Sequence, residues 1–326
     1  MLIRSTPPIP GPDAIAELTN VEINGTRQAL LIRGQNRKAP LLLALHGGPG
    51  SAQIGFARKP MQELEQDFVV VQWDQRGSGL SYSSRIPRES FTIEQFVQDA
   101  YEVITLLLRR FGQQKLFLVG HSWGTVLGTL VAARYPELIH AYVGMGQVVN
   151  MVENEAVSHQ YALDQARKQN HQRAIRDLER CRPPYPDFKS LGVQRKWLGK
   201  FGGSIRKGTV PGWAMKSILS STEYTLFDLP RWLQGNALSV QLLWDQLMKV
   251  NLTVQVPKLE VPVCFILGRY DYQVPSQLAV AYLEKLEAPS KQLVWFENSA
   301  HLLVFEEPDR FVSTMRGVLK TVHCCG

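Results

Sequence analysis

Short runs of consecutive apolar residues alternate along much of the chain with longer amphipathic stretches. An apolar run bounded by glycine or polar residues is typical of a strand buried on both faces, whereas apolar positions three and four apart indicate a helix. The alternation predicts an α/β fold with a mostly parallel sheet and helices on both faces. Eight strands are predicted, at residues 16–23, 28–33, 41–45, 68–73, 115–119, 139–145, 261–267 and 292–297.

Local signals define several of these elements more closely. Asn24-Gly25 joins the first two strands and is a strong signal for a tight hairpin turn. Thr92 is placed to cap a long helix that runs to about Phe111, with Gln95 completing a capping box. Further helices are predicted at residues 125–135, 276–286 and 309–322.

The alternation stops after the sixth strand and returns only near residue 257. The intervening stretch is polar and mostly helical in period, and the proline-rich run 182–186 and Gly202-Gly203 interrupt it. The pattern predicts two domains: a core formed by residues 1–146 and 257–326, and a helical cap, residues 147–256, inserted into it.

Composition excludes several classes of protein. The chain has 326 residues, 44% of them hydrophobic, and no apolar run approaches the roughly 20 residues that cross a bilayer. The N-terminus lacks a signal-peptide core, so we expect a soluble, cytoplasmic protein with no membrane partner. Six of the seven net positive charges lie in residues 148–260, which hold 16 Lys and Arg against 10 Asp and Glu. Because these charges are scattered among acids, we expect a solvated helical surface and no nucleic-acid partner.

The four cysteines give no sign of a metal site or a disulfide framework. Cys181 lies in the polar stretch and Cys264 in an apolar strand, while Cys324 and Cys325 are adjacent at the end of the chain. We expect the terminal pair to have no function. We expect no metal and no cofactor.

The pentapeptide Gly120-His121-Ser122-Trp123-Gly124 lies between a predicted strand and a predicted helix. Gly-x-Ser-x-Gly in that setting is typical of a nucleophile elbow, a strained turn that lifts the serine hydroxyl above the sheet. The glycines remove Cβ atoms that would clash with the crossing helix. The amides that follow the serine lie at a helix N-terminus, where negative charge is favoured. We therefore predict that Ser122 is a catalytic nucleophile.

A serine hydroxyl needs a base at neutral pH, and the base needs an acid that orients it. Of the seven histidines, only His301 follows a late strand in a short loop at the carboxyl edge of the predicted sheet, and we predict that it is the base. His46 and His121 belong to glycine motifs and are expected to be structural. The other four are His140, His159, His171 and His323.

The acid is expected between the serine and the histidine, at the end of a strand. Asp271 follows the apolar run 261–267 and meets this condition. Some hydrolases of this kind place the acid one strand earlier, but here that strand ends in Gly146-Gln147-Val148. Asp245 lies in a helical pattern and is expected to be a surface charge. We therefore predict that Asp271 is the acid.

Chemistry at a carbonyl also needs donors aimed at the developing oxyanion. The amide of Trp123, directly after the serine, is one predicted donor. The second is expected in the run His46-Gly47-Gly48-Pro49-Gly50, which follows strand 41–45 and whose glycines allow close approach of the backbone to a substrate. Gly48 is the first choice and Gly47 the second.

Taken together, the motifs at residues 46–50, 74–79 and 120–124 resemble those of the prolyl iminopeptidase-type family of α/β-hydrolases. With the loops at Asp271 and His301, they span most of the chain outside the predicted cap. The resemblance implies the α/β-hydrolase fold, with a helical cap above the active site. It implies that Asp74 and Arg76 organise loops near the site rather than taking part in the chemistry. It also implies a triad of Ser122, Asp271 and His301, with Gly48 and Trp123 as oxyanion donors.

The resemblance further implies a serine hydrolase that releases an N-terminal residue, often proline, from short peptides. Such an enzyme recognises a free ammonium, which family members do largely with acidic groups of the cap. Glu153, Glu155 and Glu223 lie in the predicted cap, and we expect each to be a solvated helix charge. Two alternatives remain open: a carboxylesterase or amidase for small acyl substrates, and a non-catalytic protein that binds small molecules.

Overall fold

A computed structural model describes residues 4–185, 188–209, 212, 217–218 and 221–324, without the side chains of 322–324. Its sheet has eight strands in the order β1-β2-β4-β3-β5-β6-β7-β8. Only the pairs β1–β2 and β2–β4 are antiparallel, so the predicted mostly parallel sheet is confirmed. The strands are β1 (Ile15–Ile23), β2 (Thr26–Gly34), β3 (Leu41–Leu45), β4 (Val69–Asp74), β5 (Leu116–His121), β6 (Ile139–Met145), β7 (Val263–Gly268) and β8 (Lys291–Phe296).

Helices connect most of the parallel strands. Within the described ranges, no helix combines the length and the apolar content that crossing a bilayer requires. The helices are α1 (Ile54–Met61), α2 (Ile93–Phe111), α3 (Trp123–Arg134), α4 (Met151–Lys168), α5 (Gln172–Arg180), α6 (Phe188–Lys200), α7 (Leu229–Leu247), α8 (Leu252–Gln255), α9 (Ser276–Lys285), α10 (Leu303–Glu306) and α11 (Pro308–Cys324).

The central strands are apolar at most positions because both faces of the sheet are covered. In β3, Leu41, Leu43 and Leu45 pack into one hydrophobic cluster with α2 and α3, whereas Leu42 and Ala44 pack into a second cluster with α1 and α11. Successive side chains of a strand point to opposite faces, so a run without polar residues follows directly from burial on both sides. Each fully buried leucine stabilises the fold by roughly 2–3 kcal/mol.

The long helix α2 begins at the predicted cap, but the capping box is incomplete. Thr92 Oγ1 accepts a hydrogen bond from the amide of Gln95 at 3.0 Å, as expected. The Gln95 side chain donates instead to Asp99 Oδ1, at 2.9 Å. In a capping box the Gln95 side chain would accept a hydrogen bond from the Thr92 amide, but here its amide group is drawn towards the buried Asp99 carboxylate, which is paired with Arg76. The prediction of a full capping box was wrong for this reason.

The chain between β6 and β7 holds helices α4 to α8, and its described residues contain no strand. We refer to residues 147–256 as the helical segment. Three of its helices, α4, α5 and α6, enclose a small apolar cluster of their own, which includes Leu163, Leu178 and Trp197. Helix α7 contributes Leu243 and Leu247 to the main cluster of the sheet. Whether the helical segment is a separate domain stays a prediction.

Polar contacts near the start of α7 join the helical segment to the sheet. The Tyr224 hydroxyl donates to Asp74 Oδ2 at 2.5 Å, directly at the end of β4. Arg4 donates two hydrogen bonds to the carboxylate of Asp228 from the N-terminal arm. Both carboxylates are buried, so these contacts hold the segment against the core at this end.

The cysteines that the structure describes are Cys181, which is half-buried, and Cys264, which is buried in β7. Burial in an apolar strand raises the pKa of the Cys264 thiol to about 12, so it carries no thiolate character at neutral pH. Cys325 and the side chain of Cys324 lie outside the described residues.

Candidate active site

Ser122 occupies a strained turn between β5 and α3. Its φ of 55° and ψ of −121° lie in a region that residues with a side chain rarely adopt. A Cβ at Gly120 would collide with the carbonyl of Gly124, and one at Gly124 would collide with the carbonyl of Leu45. The two glycines therefore allow strand and helix to meet at the turn, which is the local geometry that the sequence predicts.

Asp271 and His301 come together from the loops that follow β7 and β8. His301 Nδ1 lies 2.8 Å from Asp271 Oδ2, and both side chains are buried. Asp271 Oδ1 accepts hydrogen bonds from the amides of Gln273 at 3.0 Å and Val274 at 2.8 Å. An ionised carboxylate accepts only, so the proton of this contact belongs to Nδ1, and Nε2 is the ring nitrogen left to act as a base.

Five of the predicted site residues line one cavity of about 390 Å³, and Asp271, which does not line it, contacts His301. The five lining residues are Ser122, His301, Gly47, Gly48 and Trp123. A Cβ at Gly47 would lie 3.1 Å from the Ser122 Cβ, so the glycine loop after β3 directly adjoins the serine. Gly48 has a φ of 118°, which favours glycine. Residues far apart in sequence thus converge at the carboxyl edge of the sheet.

The end of β6 lies against the carboxylate–imidazole pair. Gly146 has a φ of 54° and is the residue that joins β6 to the helical segment. A Cβ there would lie 3.1 Å from His301 Nδ1 and 3.2 Å from Asp271 Oδ2. The space directly after β6 is therefore taken up by the pair that the neighbouring loops contribute.

His46 and His121 are buried beside the site and serve as neutral hydrogen-bonding groups. Burial lowers the pKa of His46 to about 4 and that of His121 to about 3. His121 Nε2 donates to the carbonyl of His301 at 2.8 Å, and the centroids of the two imidazole rings lie 4.7 Å apart. His46 Nδ1 donates to the carbonyl of Gly47 at 2.8 Å, and its Nε2 accepts from the amide of Gln75. Both contacts hold site loops in place.

Asp74 and Arg76 likewise contact loops rather than the cavity. Asp74 Oδ2 accepts from the amide of Leu80 at 2.9 Å, in addition to the Tyr224 hydroxyl. Burial raises the pKa of Asp74 to about 6, although its hydrogen-bond donors oppose this shift. Arg76 pairs with Asp99 at 2.7 Å and donates to the carbonyl of Asn24 in the first hairpin. Neither residue lines the cavity that contains Ser122.

The helical segment forms the opposite wall of the cavity, and Glu155 lies in that wall. Its side chain is fully buried, with Oε1 accepting from Arg195 at 2.5 Å and from Asn154 Nδ2 at 3.2 Å. Within the described ranges, Glu155 Oε2 and Asn154 Oδ1 have no hydrogen-bond partner. The expectation that Glu155 is a solvated helix charge was therefore wrong.

The other two acidic residues differ from Glu155 in position. Glu153 is exposed, as expected. Glu223 is buried, contrary to expectation, because its carboxylate pairs with Arg58 at 2.6 Å and accepts from Thr6 Oγ1 at 3.0 Å. It does not line the cavity. Only Glu155 of the three thus lines the cavity.

The spacing along α4 contained a signal for this placement. Met151, Ala162 and Ala166 form the apolar face of the helix, and Glu155 lies four residues after Met151 and seven before Ala162. Positions three, four and seven apart share a helix face. A polar residue on an otherwise buried face indicates a hydrogen-bonded or functional group, an interpretation that the polar composition of the segment obscured.

Most of the remaining cavity lining is apolar. Hydrophobic side chains reach it from α4, α6 and α7, and two of the tryptophans of α7 are among them. Polar side chains such as Ser122 and Glu155 therefore share the cavity with a larger number of apolar ones. The apolar contributors include Phe56, Val148, Met151, Leu191, Trp232, Val240, Trp244 and Leu247.

Comparison with known proteins agrees with this geometry. Residues 40–308 match a family model described as the alpha/beta hydrolase fold. The chain belongs to this family. It is 38% identical over 309 residues to the "Probable aminopeptidase YbaC" of Bacillus subtilis, an alignment that covers 94% of this chain and 97% of the relative.

More distant relatives of the hydrolase carry related names. The chain is 24% identical over 311 residues to a proline iminopeptidase of Saccharolobus solfataricus, covering 90% of this chain and 87% of the relative. Among solved structures, a proline iminopeptidase-related protein from Thermus thermophilus superposes with a TM-score of 0.67 at 20% identity, covering 94% and 98% of the two chains. The predicted fold and family resemblance are confirmed, and the chain is an enzyme of the hydrolase class.

Proposed function

We propose that this protein is a serine hydrolase that cleaves an amide or ester carbonyl through Ser122, His301 and Asp271. The observation that carries the proposal is the 2.8 Å contact between His301 and Asp271, together with a strained Ser122 on the same cavity as His301. A serine, an imidazole and a carboxylate in this relation are the components of nucleophilic acyl transfer.

In the proposed mechanism, His301 Nε2 takes the proton of Ser122 Oγ as the oxygen attacks the substrate carbonyl. Asp271 holds the imidazole in the required tautomer and stabilises the imidazolium that forms. The amides of Trp123 and Gly48 donate to the oxyanion, with Gly47 as the alternative second donor. The imidazolium then protonates the leaving group, and water releases the acyl group from Ser122 by the same steps.

We further propose that the substrate is a short peptide or aminoacyl amide with a free N-terminal amine, proline being favoured at that position. The names of the relatives support an aminopeptidase activity. A second support is Glu155, whose Oε2 is buried without a donor in the cavity wall among the described residues. A buried carboxylate oxygen favours a cationic donor. The helical segment then acts as the cap over the site.

Covalent labelling with a fluorophosphonate tests the reaction class. The wild-type protein is expected to be labelled and the Ser122→Ala variant not to be, while circular dichroism shows that both are folded. Equal labelling of the two proteins would rule out Ser122 as the nucleophile. Absence of labelling in the folded wild type would instead favour a non-catalytic binding protein.

A panel of aminoacyl naphthylamides and short acyl esters tests the substrate class. Turnover of prolyl and alanyl naphthylamides, lost when the amine is acetylated, is the expected result. The apolar lining of the cavity supports a second candidate, a carboxylesterase for small acyl groups. Efficient hydrolysis of acyl esters with no turnover of aminoacyl amides would establish this second candidate and exclude the aminopeptidase.

A further inference from the structure

The cavity contains one carboxylate and one guanidinium, and the two are neighbours. Apart from His121 and His301, Glu155 and Arg195 are the ionisable side chains among the described residues that line it. Their closest oxygen and nitrogen are 2.5 Å apart. Glu155 is fully buried, whereas 26% of the Arg195 side chain remains exposed. The opposite charges make the pair electrically neutral as a unit. Arg195, its positive member, is the more accessible of the two.

Arg195 has unused capacity to bind an anion. A guanidinium carries five N–H donors in a fixed planar arrangement. In the described part of the chain, one of them donates to Glu155 Oε1 and one to Gln194 Oε1. Gln194 is itself fully buried and fixed by a hydrogen bond to Ser158, so the guanidinium is held from two sides. The Tyr185 hydroxyl also lies near the guanidinium, and the exposed part of the Arg195 side chain leaves room for an acceptor that enters the cavity.

A ligand that matches this pair carries both an ammonium and a carboxylate. Glu155 Oε2 lacks a hydrogen-bond donor among the described residues, and the Arg195 guanidinium has N–H groups beyond the two that donate to Glu155 and Gln194. Two residues of extended chain span at most about 7 Å, so the two termini of a dipeptide can reach adjacent groups of opposite charge. In a longer peptide the carboxylate lies further from the ammonium. A peptide amide or an aminoacyl arylamide has the ammonium but no carboxylate.

We infer that Arg195 binds the C-terminal carboxylate of the substrate, which makes free dipeptides the preferred substrate class. The inference rests on the proposed aminopeptidase function and extends it from the amine end to the leaving group. A carboxylate that enters a mostly apolar cavity loses its water and needs a charged partner, which the guanidinium offers. Replacing that carboxylate by a neutral amide removes the charged acceptor of the free guanidinium N–H groups, so the amide is discriminated against although Glu155 still pairs with Arg195.

The first test compares two substrates of the wild-type protein. Values of kcat/KM are measured for a prolyl or alanyl dipeptide and for the same dipeptide with a C-terminal amide. A preference of at least about ten-fold for the free carboxylate is expected from one charged hydrogen-bonded contact. Equal values, or a preference for the amide, would overturn the inference. This comparison needs no variant, so it does not depend on whether a mutant protein folds.

The second test assigns the preference to Arg195. The ratio of the two kcat/KM values is expected to fall close to one in Arg195→Gln and to take an intermediate value in Arg195→Lys, which keeps the charge but loses the planar arrangement. Arg173→Gln, an exposed arginine of α5, is the matched control and is expected to keep the wild-type ratio. Because both substrates share the ammonium, the ratio cancels any effect of the substitution on Glu155 or on folding.

The outcomes separate this inference from the function on which it rests. Turnover of aminoacyl naphthylamides without discrimination between dipeptide and dipeptide amide would leave the aminopeptidase intact and remove the role of Arg195. Hydrolysis of acyl esters alone would overturn both. A preference for the free carboxylate that persists in Arg195→Gln would assign carboxylate binding to another group.

Discussion

The sheet and the helical segment use burial in different ways. The central strands bury apolar residues at most positions, and in β3 all five side chains are apolar. The helical segment buries polar side chains beside apolar ones, among them Asn154, Ser158, His159 and Gln194. Apolar packing is non-directional and gives a stable frame, whereas buried polar groups have to find specific partners. We infer that the frame of the site depends on apolar packing, whereas its selectivity depends on buried polar contacts.

The largest expected effect is on catalysis, whose proposed residues lie at the edge of the sheet. Asp271→Asn is expected to lower kcat by about 10⁴-fold because the amide favours the wrong imidazole tautomer. Asp245→Asn, an exposed carboxylate of α7, is the matched control and should leave kcat unchanged. Steady-state kinetics on an aminoacyl naphthylamide measure kcat for both variants. A loss below about ten-fold for Asp271→Asn would contradict the proposed role.

Stability gives the next contrast. Leu118 in β5 and Leu178 in α5 are both fully buried, but Leu118 packs in the large cluster of the sheet and Leu178 in the small cluster of the helical segment. We expect Leu118→Ala to cost about 4 kcal/mol of unfolding free energy and Leu178→Ala about 2 kcal/mol, since a small cluster relaxes more readily around a cavity. Urea denaturation measures both, and equal losses would show that the two regions are equally rigid.

Selectivity is expected to depend on the helical segment. Glu155→Gln should lower kcat/KM for an aminoacyl naphthylamide by about 10–100-fold, the range expected for one hydrogen bond to a charged group. The effect on an acyl ester without an amine should be much smaller. Glu153→Gln on the exposed face of the same helix is the control. Equal losses on both substrates would indicate a structural role for Glu155 in place of amine recognition.

The last expected effect is on the pH dependence of stability. The pKa of His121 is about 3 in the fold, against an ordinary value of 6.5, so the unfolded chain binds a proton first and this group lowers stability as the pH falls from 6.5 towards 3. Asp74 acts in the opposite direction. Its folded pKa of about 6 exceeds the ordinary 3.8, so the fold gains stability as the pH falls from 6 towards 4.

Two variants separate these contributions. His121→Gln is expected to flatten the loss of stability between about pH 6.5 and 4, whereas Asp74→Asn is expected to steepen it. Unfolding free energies from urea titrations at several pH values give the slopes. Slopes that change in the same direction in both variants would contradict the assigned shifts.

The sequence predicts the sheet well because each central strand carries its own signal. The run 41–45 coincides with β3 and the run 139–145 with β6, since burial on both faces makes the two runs mostly apolar. The loops that bring Ser122, Asp271 and His301 to one edge were also predicted, because each follows a strand. The strand assignments were enough to place these residues at one edge of the sheet.

Other features required contacts that no local pattern encodes. Helix α1 was not predicted because it contains Gly55 and Pro60, both of which are helix breakers, yet a Cβ at Gly55 would collide with the ring of Tyr224. The burial of Glu155 depends on Arg195, 40 residues away. Pairing of this kind is a property of the packed fold and leaves no local signal in the sequence. The polar composition of the helical segment therefore led to the prediction that Glu155 is exposed to solvent.

Gly146 has a consequence for how enzymes of this architecture diverge. A methyl group at that position would crowd the imidazole and the carboxylate that now fill the space after β6. An aspartate there and an aspartate at 271 would therefore compete for one volume. Moving the acid from one strand to its neighbour requires two coordinated substitutions, and a lineage that acquires either one alone passes through a crowded or an acid-free intermediate.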